Sequence, residues 1–263
     1  APEGYELVWS DEFDSPASLS SKWRFEEGGT GWGNEELQYY CADGVYGPTG
    51  QETARISDGS LLITAYKIEA SASSDNREYI STRMNSRESW TYGYFEMRAK
   101  LPTVRGTWPA FWMLSQDGNY DVSNGGGELD IMEWVGNEPD KVWFSAHCQH
   151  VTTNSGEFYR DPETGEEYPH TSSIDIIDPG SQFHCFGMEW THEYVRAFMD
   201  GVEYYYAPNP VPDSPDVTWW PFDKDYYLKL NLAIGGGWGG DVDPNFSSAV
   251  YEIDWVRVFQ KNE

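Results

Sequence analysis

Short runs of alternating apolar and polar residues, each cut off by a turn former, recur from one end of this chain to the other. Tyr5 to Trp9, Leu61 to Tyr66, Tyr79 to Met84, Tyr92 to Leu101 and Thr107 to Leu114 are such runs. So are Val142 to His147, Phe183 to Trp190, Val195 to Tyr206, Tyr226 to Ile234 and Val250 to Gln260. Alternation sends successive side chains to opposite faces of an extended strand. With 26 Gly and 15 Pro as punctuation, the chain reads as all-β. A helical turn is expected within residues 15–21, a pairing of 79–84 with 92–101, and a hairpin turn at Asp200-Gly201. The polar connection 149–181, long for a compact domain, reads as the wall of a cleft. No repeat or linker divides the sequence, and 263 residues suffice for one large β domain, 1–263.

The densest chemistry lies in Gly127-Glu128-Leu129-Asp130-Ile131-Met132-Glu133-Trp134, three carboxylates within six residues of strand-like sequence. Glu128 and Asp130 share a face, because strand residues two apart point the same way. Glu133 has the wrong parity, which one extra residue, a bulge at Ile131-Met132, would correct. Glu128 and Glu133 are then four strand steps apart, roughly 13 Å at about 3.3 Å per step. Long side chains leaning together on a bent strand can close much of that gap. A retaining glycoside hydrolase needs its two carboxyls about 5–5.5 Å apart, one as nucleophile and one as proton donor. Asp130, between them, can hydrogen-bond one Glu and hold the two titrations apart. A calcium loop would carry Gly, Asp and Asn in a turn instead.

The spacing Glu-x-Asp-x-x-Glu resembles the signature of family 16 glycoside hydrolases, in the bulged form of their laminarinase-like members. The likeness extends to Asp11-Glu12-Phe13-Asp14, Trp32-Gly33-Asn34, Glu36 to Tyr40, Tyr92 to Lys100, Gly106 to Met113, Asn231 to Gly236 and Asp254 to Val258. It implies a β-jelly-roll sandwich of two antiparallel sheets with a concave cleft, cutting internal β-1,3 or mixed β-1,3/1,4 glucan bonds with retention. Glu128 matches the nucleophile, Glu133 the acid/base and Asp130 the assisting carboxylate. Trp108 and Trp112 match positions against the sugar at the cleavage point, and Trp238 a platform for a neighbouring sugar. Asn34 and Arg83 match residues that bind sugar hydroxyls on the nonreducing side, with Glu35 standing where the family has a second Asn. His147 matches a cleft histidine, and Asn231 belongs to the same substrate-binding set. The resemblance also implies a structural calcium on the convex side, its oxygens coming from Glu12, Gly59 and Asp254, and no cofactor for catalysis. A zinc site of His147, Cys148 and His150 is discounted, because neighbours on a strand face opposite ways.

With 17 basic against 44 acidic residues the net charge is −27, which repels nucleic acid and anionic membranes but not a neutral glucan. No apolar run reaches the length of a membrane span. The start, Ala1-Pro2-Glu3, carries no basic and apolar leader, so a secreted, cell-surface or periplasmic monomer with its leader removed or not included is expected. Thirteen Trp and 18 Tyr exceed the needs of a core and suit stacking on sugar rings. Cys185 reads as a buried thiol, and a Cys41–Cys148 disulfide is left open. Two other readings compete: a hydrolase of algal galactans, expected to carry more basic residues in its cleft, and a glucan-binding protein of the same fold without hydrolysis. The intact acidic motif argues against the second.

Overall fold

The computed structural model describes residues 2–69, 75–150, 157–214 and 216–262. Two sheets pack their apolar faces into one core, as a β-jelly-roll sandwich. The ten-stranded sheet runs β19 (Val202–Pro208), β18 (Tyr194–Met199), β17 (His184–Trp190), β10 (Gly93–Lys100), β21 (Ser248–Lys261), β7 (Ser60–Lys67), β8 (Tyr79–Ser81), β3 (Gln38–Tyr40). To it β1 (Tyr5–Asp11) adds along β21 and β6 (Ala54–Ser57) along β7. The seven-stranded sheet runs β16 (Thr171–Asp175), β13 (Lys141–His147), β12 (Glu128–Glu133), β11 (Thr107–Ser115), β20 (Tyr226–Ile234), β9 (Arg83–Ser86), β2 (Trp23–Glu26). Two small ribbons, β4 (Val45–Tyr46) with β5 (Gln51–Glu52) and β14 (Glu157–Arg160) with β15 (Glu167–Pro169), complete the strands. Helix α1 (Ala17–Lys22) fulfils the expected turn of helix, and α2 (Gly236–Gly239) is a single turn.

Alternation decides which face of the seven-stranded sheet is dry. On β20, Leu228, Leu230 and Leu232 are fully buried in the core, each worth about 1.5–3 kcal/mol of transfer from water. Tyr227, Lys229 and Asn231 therefore project from the other face, where they line a cleft. At the β18–β19 hairpin, Asp200 and Gly201 both have positive φ, 50° and 79°. That backbone suits the twist of a two-residue hairpin loop, and Asp and Gly tolerate it.

Four expectations are corrected. Residues 79–84 do not pair with 92–101: the run breaks at Thr82 into β8, in the larger sheet, and β9, in the smaller. One alternating run thus crosses between layers, which periodicity does not register. The connection 149–181 is not one loop, because β14, β15 and β16 lie within it. Strand β16 extends the sheet beside β13, and β15 packs near β19, so this part bridges the sandwich edges (151–156 lie outside the described residues). Trp23, Trp90, Trp134, Trp190 and Trp220 are core residues, so much of the tryptophan serves packing. Cys185 is only half-buried, beside the β18–β19 turn, while Cys41 and Cys148 are buried and not joined by a disulfide.

Candidate active site

The bulge is present on β12. Against β11, Trp112 pairs with Asp130 and Phe111 with Met132, so Ile131 is the residue without a counterpart. Against β13, Asp130 pairs with Ser145 and Glu133 with Trp143: three steps on one strand meet two on the other. Ile131 and Met132 are both wholly buried. Glu128, Asp130 and Glu133 consequently share the outer face, on the floor of a cleft of about 650 Å³. Along β13, Glu128 lies across from His147 and Glu133 across from Trp143, four residues apart.

Each carboxylate has a fixed neighbour. Trp108 donates its indole N–H to Glu133 Oε1 at 2.9 Å. His147 Nε2 lies 3.1 Å from Asp130 Oδ2. One ligand atom each from Glu128, Asp130 and His147 falls within 4.8 Å of the others. Crowding and enclosure favour protonated acids. Burial, then the charge of Asp130, pushes Glu128 up to about 8. Burial raises Asp130 as well. Glu133 rises well above the usual range, through burial and then Asp130, against the pull of the Trp108 N–H. A proton is therefore retained within the trio near neutrality, as a general acid requires.

The expected sugar-binding residues converge on the same face. Trp108, Trp112, Asn34, Arg83, His147, Asn231 and Trp238 all line the cleft. Asn231 accepts the Trp112 N–H at 2.7 Å and donates to Tyr40 Oη at 3.2 Å. Tyr40 in turn donates to the buried Glu36 at 3.0 Å, which also accepts from Gln38 and Asn34. This chain of hydrogen bonds locks the rings and amides at the cleft floor. Trp238, held on α2, packs edge-on against Trp108 and Trp143, 5.6 and 5.9 Å away. These three rings form a wall on the Glu133 side.

At the opposite end the structure supplies residues that alternation alone did not single out. Arg83 lies over Trp32 and Trp112, at 4.6 and 4.9 Å, and pairs through Nε with Glu26. Lys229, wholly buried, donates to the same Glu26 oxygen at 2.8 Å and to Asn85 Oδ1. Burial alone would raise Glu26, but Arg83 and Lys229 hold it down at about 2. The signal was available for Lys229: it alternates with leucines on a strand whose every residue is buried.

Glu12, Gly59 and Asp254 meet far from the cleft, on one edge of β21. There β7 pairs with Ser248–Ile253 and β1 with Val256–Lys261, leaving Asp254 and Trp255 at the junction. Glu12 directly follows β1 and Gly59 directly precedes β7. The Glu12 carboxylate is held by Arg257 at 2.7 and 2.9 Å, and Asp254 Oδ2 by Arg98. The carbonyl oxygens of Glu12 and Gly59 accept no hydrogen bond among the described residues. Two free carbonyls and one remaining Asp254 oxygen suit a hard cation.

Residues 45–257 match the family described as Glycosyl hydrolases family 16. A curated β-glucanase of Rhodothermus marinus is 41% identical, over 97% of this chain and 85% of its own length. A solved laminarinase from the same organism superposes with a TM-score of 0.80 at 39% identity, covering 98% of both chains. A second structure, SCLam, described as a non-specific endo-β-1,3(4)-glucanase, gives 0.82 at 35% identity over 99% of this chain and 93% of its own. On sequence and fold alike, this chain belongs to glycoside hydrolase family 16.

Proposed function

We propose that this chain is a retaining endo-hydrolase of β-1,3 and mixed β-1,3/1,4 glucans, a single catalytic domain over 1–263 with Glu128 as nucleophile. One observation carries the reading: the β12 bulge turns Glu128 and Glu133 onto one face with Asp130 between them. Relatives named for cleavage at these linkages support the substrate class. One SCLam structure is described as presenting 1,3-β-D-cellobiosyl-glucose at its active site.

Glu133, protonated, donates to the glycosidic oxygen as Glu128, in the fraction whose carboxyl is ionised, attacks the anomeric carbon. The bond to the leaving sugar breaks and a glycosyl ester forms on Glu128. Glu133, now ionised, takes a proton from water, which attacks the same carbon and releases the sugar with its configuration restored. Asp130, faced by His147, steadies Glu128 through the change of charge. The tryptophan wall of Trp238 and Trp108 carries the sugar on the leaving side. On the other side Trp112, Arg83, Asn34 and Asn231 hold the nonreducing residues. Arg83 and Lys229 are the two cations lining the cleft, against the acids Glu26, Glu36, Glu128, Asp130 and Glu133, so it holds no surplus positive charge for an anionic galactan. Proton NMR of a mixed-linkage glucan digest should show the β-anomer first, with the α-anomer growing in by mutarotation. Initial α-anomer would rule out the double displacement.

A calcium ion at the Glu12, Gly59 and Asp254 junction belongs to the same proposal, as a clamp between β1 and β7. Its removal by chelator should lower the melting temperature by about 5–10 °C, with recovery on adding calcium. An unchanged melting curve would dismiss the clamp. Secretion and a monomeric state complete the proposal. Among the described residues no helix is long and apolar enough to cross a membrane.

A further inference from the structure

Beside the main cleft, past Tyr227 and Glu26, opens a second cavity of about 410 Å³, lined by Arg24, Phe25, Glu26, Asn85, Gln116, Tyr120 and Tyr227. Glu26, Tyr120 and Tyr227 belong to both hollows. The site described above makes no use of the second one. We propose that this side pocket is an additional subsite for a neutral glucosyl residue, bound through Asn85 and Glu26 while the main chain occupies the cleft. The proposal rests on the glucanase reading and specifies where a further sugar of that substrate would sit.

Its polar groups are oriented rather than merely present. Asn85 is nine-tenths buried, and its Oδ1 accepts from Lys229 Nζ. An ammonium only donates, so this contact fixes the amide: the oxygen faces Lys229 and the NH2 faces away from it. The Asn85 amide nitrogen has no partner among the described residues, yet it is not sealed from solvent. A side chain this buried with two unused donors beside a cavity is set for an acceptor. Glu26 complements it. Arg83 and Lys229 both occupy Oε2, and they keep the carboxylate ionised, which leaves Oε1 as an acceptor without a donor among the described residues. A donor pair and a charged acceptor at the mouth of one hollow suit a vicinal diol, whose hydroxyls both give and take hydrogen bonds.

The surroundings agree with a sugar rather than an ion or an apolar group. Of the lining residues Arg24 and Glu26 carry opposite charges, and the rest are amides, phenols and one Phe, a mixture of polar edges and flat rings that a sugar accepts. Tyr227 donates to Tyr120 at 3.2 Å, and half-exposed Tyr120 presents its ring at the shared rim. Arg24 and Gln116, exposed at the mouth, add further donors. Position in the sheet fixes the relation to the cleft. Asn85 lies in one row with Arg24 and Lys229 across β2, β9 and β20, and the same row continues through Trp112 to Asp130. The glucosyl residue can arrive as the next unit of the main chain or as a side branch.

Calorimetry on the Glu128→Gln protein separates these sources, because binding is read without turnover. Linear β-1,3 oligosaccharides of increasing length and a branched one of equal main-chain length are titrated into it, with and without Asn85→Asp or Arg24→Ala. Asn85→Asp replaces the donors by an acceptor, and Arg24→Ala changes an exposed residue whose loss leaves the core intact. If the pocket takes a main-chain unit, one added sugar tightens binding about tenfold and both variants erase that step. If it takes a branch, the gain appears with the branched ligand and is erased likewise. Equal weakening for every ligand, the shortest included, would overturn the proposal. Residual hydrolysis by Glu128→Gln would instead count against the catalytic assignment, a readout separate from the difference the pocket substitutions make between ligands.

Discussion

Glu128→Ala should lose activity on β-glucan by on the order of 10⁴-fold or more and regain part of it when azide is supplied. The smaller side chain leaves room on the side of the sugar from which Glu128 would attack, and azide enters there. Glu133 still protonates the leaving oxygen, so the product is an α-glycosyl azide, inverted because a single displacement has taken place. Glu133→Ala predicts the opposite stereochemistry. A substrate with a good leaving group still loads Glu128, and azide then attacks the glycosyl ester from the opposite face, giving the β-azide. Two variants, one added anion and two anomers test both roles at once. The β-azide from Glu128→Ala would reverse the assignment.

Loss of activity must be separated from loss of fold, and the same carboxylates give the control. Glu128 holds its proton up to about 8 in the folded chain, against about 4.3 for a free glutamate. Between those values the folded state binds more protons than the unfolded state, so Glu128 makes stability fall as pH rises through that window. Glu128→Gln removes this loss. The variant should melt about 2–6 °C above its parent at pH 8 and level with it at pH 4. A dead variant that is more stable has lost chemistry rather than structure, a trade common where like charges are held together for a reaction.

The acidic motif was legible because strand parity is a hard rule: Glu133 is one residue out of phase, and only an extra residue restores it. The price of that extra residue is paid in apolar side chains, with Ile131 and Met132 both driven into the core. Strand positions were legible for the same reason, whereas partners were not. Residues 79–84 alternate without regard to which sheet they join, and only the core decides that β8 and β9 part company at Thr82. Aromatic excess was ambiguous by nature, since Trp134 and Trp190 fill the core with the same side chain that Trp108 and Trp238 present to the cleft. Lys229 and Glu26 escaped notice as a pair because 203 residues separate them, and nothing local reports a charge neutralised across three strands.

That pair sets the other large expectation. Glu26→Leu would leave wholly buried Lys229 and nearly buried Arg83 without their shared carboxylate. Breaking a buried ion network from one side costs about 3–5 kcal/mol, or roughly 10 °C in a domain of this size. The deficit should depend on pH in a defined direction. Burial, then the charge of Arg83, already pulls Lys229 down to about 7 against the attraction of Glu26. Without Glu26 its proton is lost at still lower pH. Between that lower value and 7 the variant's folded state carries fewer protons than the parent's, so its relative stability falls as pH falls. The gap in melting temperature should therefore widen from pH 8 to pH 5. Adding Lys229→Met to Glu26→Leu removes the stranded ammonium and should recover much of the loss, because an apolar replacement of a buried pair is often nearly neutral. If the single variant melts like the parent at pH 5, Lys229 is not held as an ammonium by Glu26, and the charge balance between the cleft and its side pocket fails with it.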